Sequence, residues 1–382
     1  MNARERVEAA FQGQETDKVP VYHIGFSSDI ASALLGRKAF VGGGIQQWRE
    51  AKALWQGEDA HQEYLERSFR DAVDIADLCE HDIVRPEYWR YNRKPTRRID
   101  ECTFLYEYGA EEDWKVLRYD PGSEQCNVFD YKPRARSQTF DDLEAEISAQ
   151  ERAIQDYRPR EEDFSAAIRA QGLRGDECVV RVGGMGIAIP HDAIWLEATM
   201  ARPDLVERLL DIQAERAVRN VQFLSPFGFR YFFGGGDFAS NDGPMYSPRI
   251  FHELMLARLK RVSVACHEHG AFHLFASDGN LWPVAGDLFG RSGVDGYYEI
   301  DRRAGMDLDK LRERFPRLTL IGNISSHTVH MGSKHQIIAE TISCLETAKR
   351  AGRIVVGTSN YFVPHTPVEN VIAVLETISE YR

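Results

Sequence analysis

The chain has 382 residues, 43% of them hydrophobic and 28% charged, which is ample for a large buried core. Its 47 Lys and Arg against 59 Asp and Glu leave a net charge of −12, which argues against a broad nucleic-acid or anionic-membrane surface. No stretch reaches the roughly 18 apolar residues of a membrane span. The six cysteines form no CxxC pair, and the start is no signal peptide, so a reduced cytoplasmic protein is expected.

The opening MNARERVEAAFQG reads as an amphipathic helix, and VPVYHI (19–24) as a first strand. A second strand falls around HDIV (81–84). Residues 86–135 are rich in Tyr, Trp, Arg and acidic groups, and TFLYEYG with WKVLRYD predicts a β-hairpin or small sheet. Charged helices over 140–156 and 160–171 follow, so 86–175 reads as an insertion after the second strand that covers one mouth of the fold. A regular rhythm then sets in. The apolar runs CVVRVG (178–183), FRYFFGGGDF (229–238), AFHLFASDG (271–279), GYYEID (296–301), LTLIGN (318–323) and RIVVGTS (353–359) alternate with helical patterns at 203–224, 247–269, 306–314, 333–351 and 367–381. Unbroken apolar runs of this length suit parallel strands buried on both faces. Eight strands close a barrel, so the expected fold is a single (β/α)8 barrel over 1–382 with the insertion inside it. No GxGxxG follows the first strand, which disfavours a dinucleotide-binding sheet.

Working residues of such barrels sit at the C-terminal ends of strands. That rule nominates His23, Asp82, Arg85, Asp237, His273, Ser277, Asp278, Glu299, Asp301, Asn323, Thr358, Ser359 and Asn360. A neutral His273 with Asp278 and Glu299 makes a valid set for zinc with an open position. The same trio without metal would serve as a general acid/base site. Bland roles stand beside these: a hydrogen-bonded core histidine for His273, a salt bridge to Arg302 or Arg303 for Glu299, a turn or cap for Asp237. GxSxG is absent, and no cysteine occupies a strand end, so Ser or Cys nucleophiles are not expected.

Several segments together resemble the uroporphyrinogen decarboxylase superfamily, which holds porphyrinogen decarboxylases and corrinoid-linked methyltransferases. The resemblance is carried by Arg4-Glu5-Arg6-Val7 and Asp17-Lys18-Val19-Pro20-Val21, by Met245-Tyr246-Ser247-Pro248, and by His273 through Ser277-Asp278-Gly279-Asn280. It continues through Gly293-Val294-Asp295-Gly296, Ile321-Gly322-Asn323-Ile324, Gly357-Thr358-Ser359-Asn360 and Thr366-Pro367-Val368-Glu369-Asn370. The family fold is again the (β/α)8 barrel.

The Arg-rich signature of the porphyrinogen decarboxylases is replaced here by His23-Ile24-Gly25-Phe26-Ser27-Ser28, although His81-Asp82-Ile83-Val84 is similar to the stretch that carries their catalytic Asp. The thiol-methylating branch binds zinc through His-x-Cys and a further Cys. In this chain His273 would be the His, with Phe275 and Thr358 or Ser359 at the cysteine positions. The resemblance thus implies a methyltransferase that moves a methyl group from a small O- or N-methylated substrate to a corrinoid (cobalamin) carried by a partner protein. His273, Asp278 and Glu299 would be catalytic and would hold zinc. His23, Asp237, Asn323, Ser359, Tyr88 and Trp89 would bind substrate. A homodimer is compatible with this reading. The alternative is a cofactor-free decarboxylase with Asp82 as its catalytic carboxylate; a third class is a non-catalytic binding protein on the barrel scaffold.

Overall fold

The apolar runs become the staves of a ring. The computed structural model describes residues 1–109, 113–132 and 139–382. Barrel strand two is Ile83–Val84, and strand three runs through Val179–Val180 and Val182–Gly186. Strands four to eight are Tyr231–Gly235, Phe272–Ala276, Gly296–Tyr298, Thr319–Ile321 and Ile354–Val355. Strands three to eight pair in sequence order as one parallel sheet, and strand two pairs with the start of strand three. The first position is the extended segment 19–24, where Val21 bridges Val356, the residue just after strand eight, and the Asp82 amide bonds the Val21 carbonyl at 2.8 Å. Backbone bonds therefore join each neighbouring pair around a (β/α)8 barrel.

Alternate side chains of each stave face the interior. Tyr22, Ile83, Val179, Phe233, Leu274, Tyr298, Ile321 and Val355 form the inner core. Phe232, Phe275, Tyr297 and Leu320 face outward, into the larger core beneath the helices. Among those helices are Pro203–Leu224, Leu256–Glu268, Lys334–Ala351 and Val368–Tyr381.

The N-terminal helix, Ala3–Gln12, starts at a capping box of Asn2 with Glu5. Its Val7 and Phe11 enter the inner core from below. Phe11 lies 5.0 Å from Tyr231 and 4.9 Å from Phe272, ring to ring, and these are the first residues of strands four and five. The helix therefore plugs the N-terminal end, and burying Phe11 contributes about 2–3 kcal/mol.

Three helices join the first two strands: Ser28–Leu35, Gly44–Gln56 and Glu58–Leu78. The insertion is a four-stranded antiparallel sheet of Arg97–Arg98, Thr103–Glu107, Trp114–Asp120 and Gln125–Lys132. It rests on helix Gly44–Gln56, with Trp48 stacked on Tyr119 at 4.5 Å. Gly44 permits the contact, since a Cβ there would stand 2.2 Å from the Cys126 amide nitrogen. The sheet thus leans on the side of the mouth, which it reaches through Gln125, whose Nε2 lies 3.4 Å from the Tyr361 hydroxyl. Among the described residues, no helix is long and apolar enough to cross a membrane.

Candidate active site

Strands four, five and six each deliver one carboxylate to the C-terminal mouth. Asp237, Asp278 and Glu299 offer oxygens that all lie within 4.8 Å of one another. Strand four can run close to strand five because it ends in glycine; a Cβ on Gly235 would sit 2.6 Å from the Ala276 carbonyl oxygen. The Asp278 amide donates to Asp237 Oδ1 at 3.3 Å, and Asn360 Nδ2 donates to Asp278 Oδ2 at 2.9 Å. Glu299 is held with φ of +65°, a left-handed conformation that costs a non-glycine residue about 1 kcal/mol or more.

The cluster carries its own electrostatic signature. Burial, then the neighbouring Glu299 and Asp237, pushes the Asp278 carboxyl up to about 8. Burial pushes Glu299 up to about 7, opposed by Arg181 and Arg85 and reinforced by Asp237. Carboxylates that repel one another in this way form a hard oxygen donor set, suited to a divalent cation such as Mg, Mn or Zn rather than to a soft metal. Three protein ligands would leave positions open for a substrate atom.

These raised values fix the sign of a pH dependence. Between the ordinary carboxylate range near 4 and the folded values of about 7 and 8, the folded chain holds protons that the unfolded chain has lost. Their stabilising contribution is fully present below that range and is lost as pH rises through 7 to 8. With divalent metal chelated, the melting temperature is therefore expected to fall between pH 6 and pH 9, and Asp278→Asn to flatten the fall. Equal slopes for the two proteins would contradict the arrangement.

Glu299 also lines a pocket beside the cluster, with Arg85, Tyr88, Trp89, Arg181, Asn360 and Tyr361 around it. Arg85 donates to the carbonyls of Glu87 and Ile24 at 3.0 Å each, and Arg181 donates to the Tyr22 hydroxyl at 2.8 Å. Among the described residues neither arginine forms a salt bridge within 4.0 Å, so both keep donors for an anionic ligand.

Residues 192–381, which carry strands four to eight and all three carboxylates, match the family model described as uroporphyrinogen decarboxylase (URO-D). The C-terminal half of the chain, residues 192–381, is a uroporphyrinogen decarboxylase (URO-D) family domain. A methyltransferase from Methanosarcina mazei superposes over 100% of this chain and 99% of its own, with 19% identity and a TM-score of 0.64. A protein described as a vitamin-B12 independent methionine synthase from Listeria monocytogenes aligns over 96% of this chain and 99% of its own, at 13% identity and a TM-score of 0.45. At 19% identity the likeness to the Methanosarcina mazei protein speaks for the fold alone. No curated protein matches.

Within this uroporphyrinogen decarboxylase fold, the expected trio is brought together only in part. Asp278 and Glu299 meet, but their third member is Asp237, expected as a substrate contact. His273 is a correction. It stands one residue away from the inward-facing Leu274, so its ring points outward, toward helix Leu256–Glu268, where its Nδ1 lies 2.8 Å from the Ser263 hydroxyl. Burial pushes this imidazole down to about 3, so it is a neutral core histidine and not a protonated one.

Asp82 is a second correction. It precedes strand two, at the plugged end of the barrel, and its buried carboxylate pairs with Arg6 and Arg382 and accepts from the Val21 amide. His23 alternates out of the interior as well, lying beside Phe26 and Phe362 with Nδ1 accepting from the Thr358 amide at 3.3 Å. Asn323 is buried against the Met306 carbonyl, and Ser359 is buried with its amide on the Ile324 carbonyl. Neither lines the pocket. Tyr88 and Trp89 do line it. Arg181 and Tyr361 were not anticipated. Arg181 carried a signal nonetheless, as the single charge inside the apolar run CVVRVG.

Proposed function

We propose that this chain is a methyltransferase that takes a methyl group from a small, anionic O- or N-methylated compound and passes it to a corrinoid carried by a separate protein. One observation carries the reading: Glu299 belongs both to the carboxylate cluster and to the pocket that holds Arg85 and Arg181. A substrate anchored by its anionic group on the two arginines, with its body against Tyr88 and Tyr361, would present its heteroatom at Glu299.

Asp237, Asp278 and Glu299 are the residues that would hold a divalent cation, zinc included. Such a cation would supply Lewis acidity to the heteroatom that the methyl group leaves. The protein's own groups do the rest. Burial and its neighbours push the Asp278 carboxyl up to about 8 in the metal-free site, so loading a cation there would release the Asp278 proton and leave the carboxylate free to ligate. Asn360 holds the Asp278 carboxyl in place through Oδ2. The aromatic walls exclude water on one side, and the methyl carbon is left accessible from the side of the exposed Trp89.

The decarboxylase reading draws support from the same two arginines, which would also grip a carboxylate that is to be lost. It forfeits its catalytic Asp82, which sits at the opposite end of the barrel. The test is a panel of small methoxy- and methylamino-carboxylates, incubated with the metal-loaded protein and chemically reduced cobalamin. Methylcobalamin formation is expected from at least one compound. Release of carbon dioxide without methylcobalamin would replace this reading with the decarboxylase one.

A further inference from the structure

A second concave site lies away from the mouth, between helix Gly44–Gln56, helix Glu58–Leu78 and the 36–41 segment. Its cavity volume is about 190 Å³, room for a small anionic group rather than for a drug-sized ligand. Four cations line it: Lys38, Arg49, Lys52 and Arg67. In a chain with a net charge of −12, that grouping is against the overall balance.

Arg49 makes the case. It is 8% exposed, yet among the described residues its guanidinium donates only to neutral acceptors: the Ala39 carbonyl at 2.7 Å, Gln46 Oε1 at 3.0 Å and the Ser28 hydroxyl at 2.9 Å. Its Nε has no partner among the described residues. Buried charges are normally paired directly, so a buried arginine with no carboxylate in hydrogen-bond contact is only partly compensated. Glu124, whose charge favours the Arg49 cation, is already engaged by the amides of Ser28 and Asp29.

The neighbours sharpen this. Burial first, and then Arg49, Lys52 and Arg67, lower the Lys38 ammonium below its usual range, as expected of cations crowded together. Among the described residues Lys52 and Arg67 each reach one rim carboxylate, Glu101 at 3.5 Å and Glu63 at 3.6 Å. Their remaining support is aromatic: Lys52 stands 4.4 Å over Trp48, and Arg67 stands 3.9 Å over Phe40. Those rings keep the cations pointed into the cleft without neutralising them.

We propose that this cleft binds a phosphorylated small molecule, its phosphate held among Lys38, Arg49, Lys52 and Arg67. Arginine forks and lysine ammonium groups suit a compact dianion better than a singly charged carboxylate. The inference rests on these helices alone and stands or falls apart from the chemistry at the mouth.

The test is isothermal titration calorimetry of the full chain with pyrophosphate at low ionic strength, with acetate and sulfate as comparators. Saturable binding at one site is expected for pyrophosphate. It should weaken at least tenfold in Lys38→Ala and in Arg67→Ala, whose partly exposed side chains can be removed without opening the core. Glu299→Gln should bind pyrophosphate like the parent protein. Absence of heat, binding undiminished in the Lys38→Ala/Arg67→Ala double variant, or equal and unsaturable uptake of sulfate would each overturn the proposal.

Discussion

Replacing Glu299 by glutamine is expected to lower methyl transfer by more than about 100-fold, because it removes a direct member of the site where even an outer partner of a metal ligand is worth 10–100-fold. Glutamine keeps the size and the hydrogen-bonding oxygen but removes the charge, so it separates the role of the carboxylate from that of the shape. The fold should not suffer. The buried charge that burial and Asp237 disfavour is gone, and the melting temperature at pH 8 should hold or rise. Steady-state methylcobalamin formation, metal content and a melting curve decide the matter together. Activity within threefold of the parent protein, with equal bound metal, would remove the cluster from the mechanism.

The second large effect lies at the other end of the barrel. Asp82→Ala should cost about 3–5 kcal/mol of stability, the range for breaking a buried ion pair by deleting one partner. The Asp82 side chain is 1% exposed, and those of Arg6 and Arg382 are 6% and 4% exposed, so water cannot take over its role. Arg6 keeps Asp17 at 2.8 Å, but Arg382 is left with Glu80 alone, and the Val21 amide loses the oxygen that helps hold segment 19–24 against strand two. Denaturant unfolding should register the loss. Turnover per folded molecule should be unchanged, whereas a catalytic Asp82 would take activity to background.

The barrel was legible because each strand is apolar on both faces and each is followed by a helical pattern. That same double burial concealed which residues face inward. A strand that alternates apolar and polar reveals its orientation, but Phe272-His273-Leu274-Phe275-Ala276 does not. The strand-end rule found Asp237, Asp278 and Glu299, yet the trio was centred on His273, because a histidine beside carboxylates matches metal chemistry. Parity would have separated them: Leu274 and Ala276 face the interior, and Asp278 continues that even series into the mouth. Asp82 misled for a related reason. Strand two proved two residues long, so the residue taken for its C-terminal end lies before its start. The helices over 28–78 carried no comparable rhythm of strand and helix, and the basic cleft between them could not be read before they were placed.

Glu299 sits where fold and activity pull in opposite directions. Its left-handed backbone favours glycine, its burial favours a neutral side chain, and Asp237 opposes its charge. Drift under selection for robustness alone would therefore erode this position early, and with it the link between cluster and pocket. A lineage in which a glutamate persists here, against the local preference of the chain, is one in which something other than stability is keeping it.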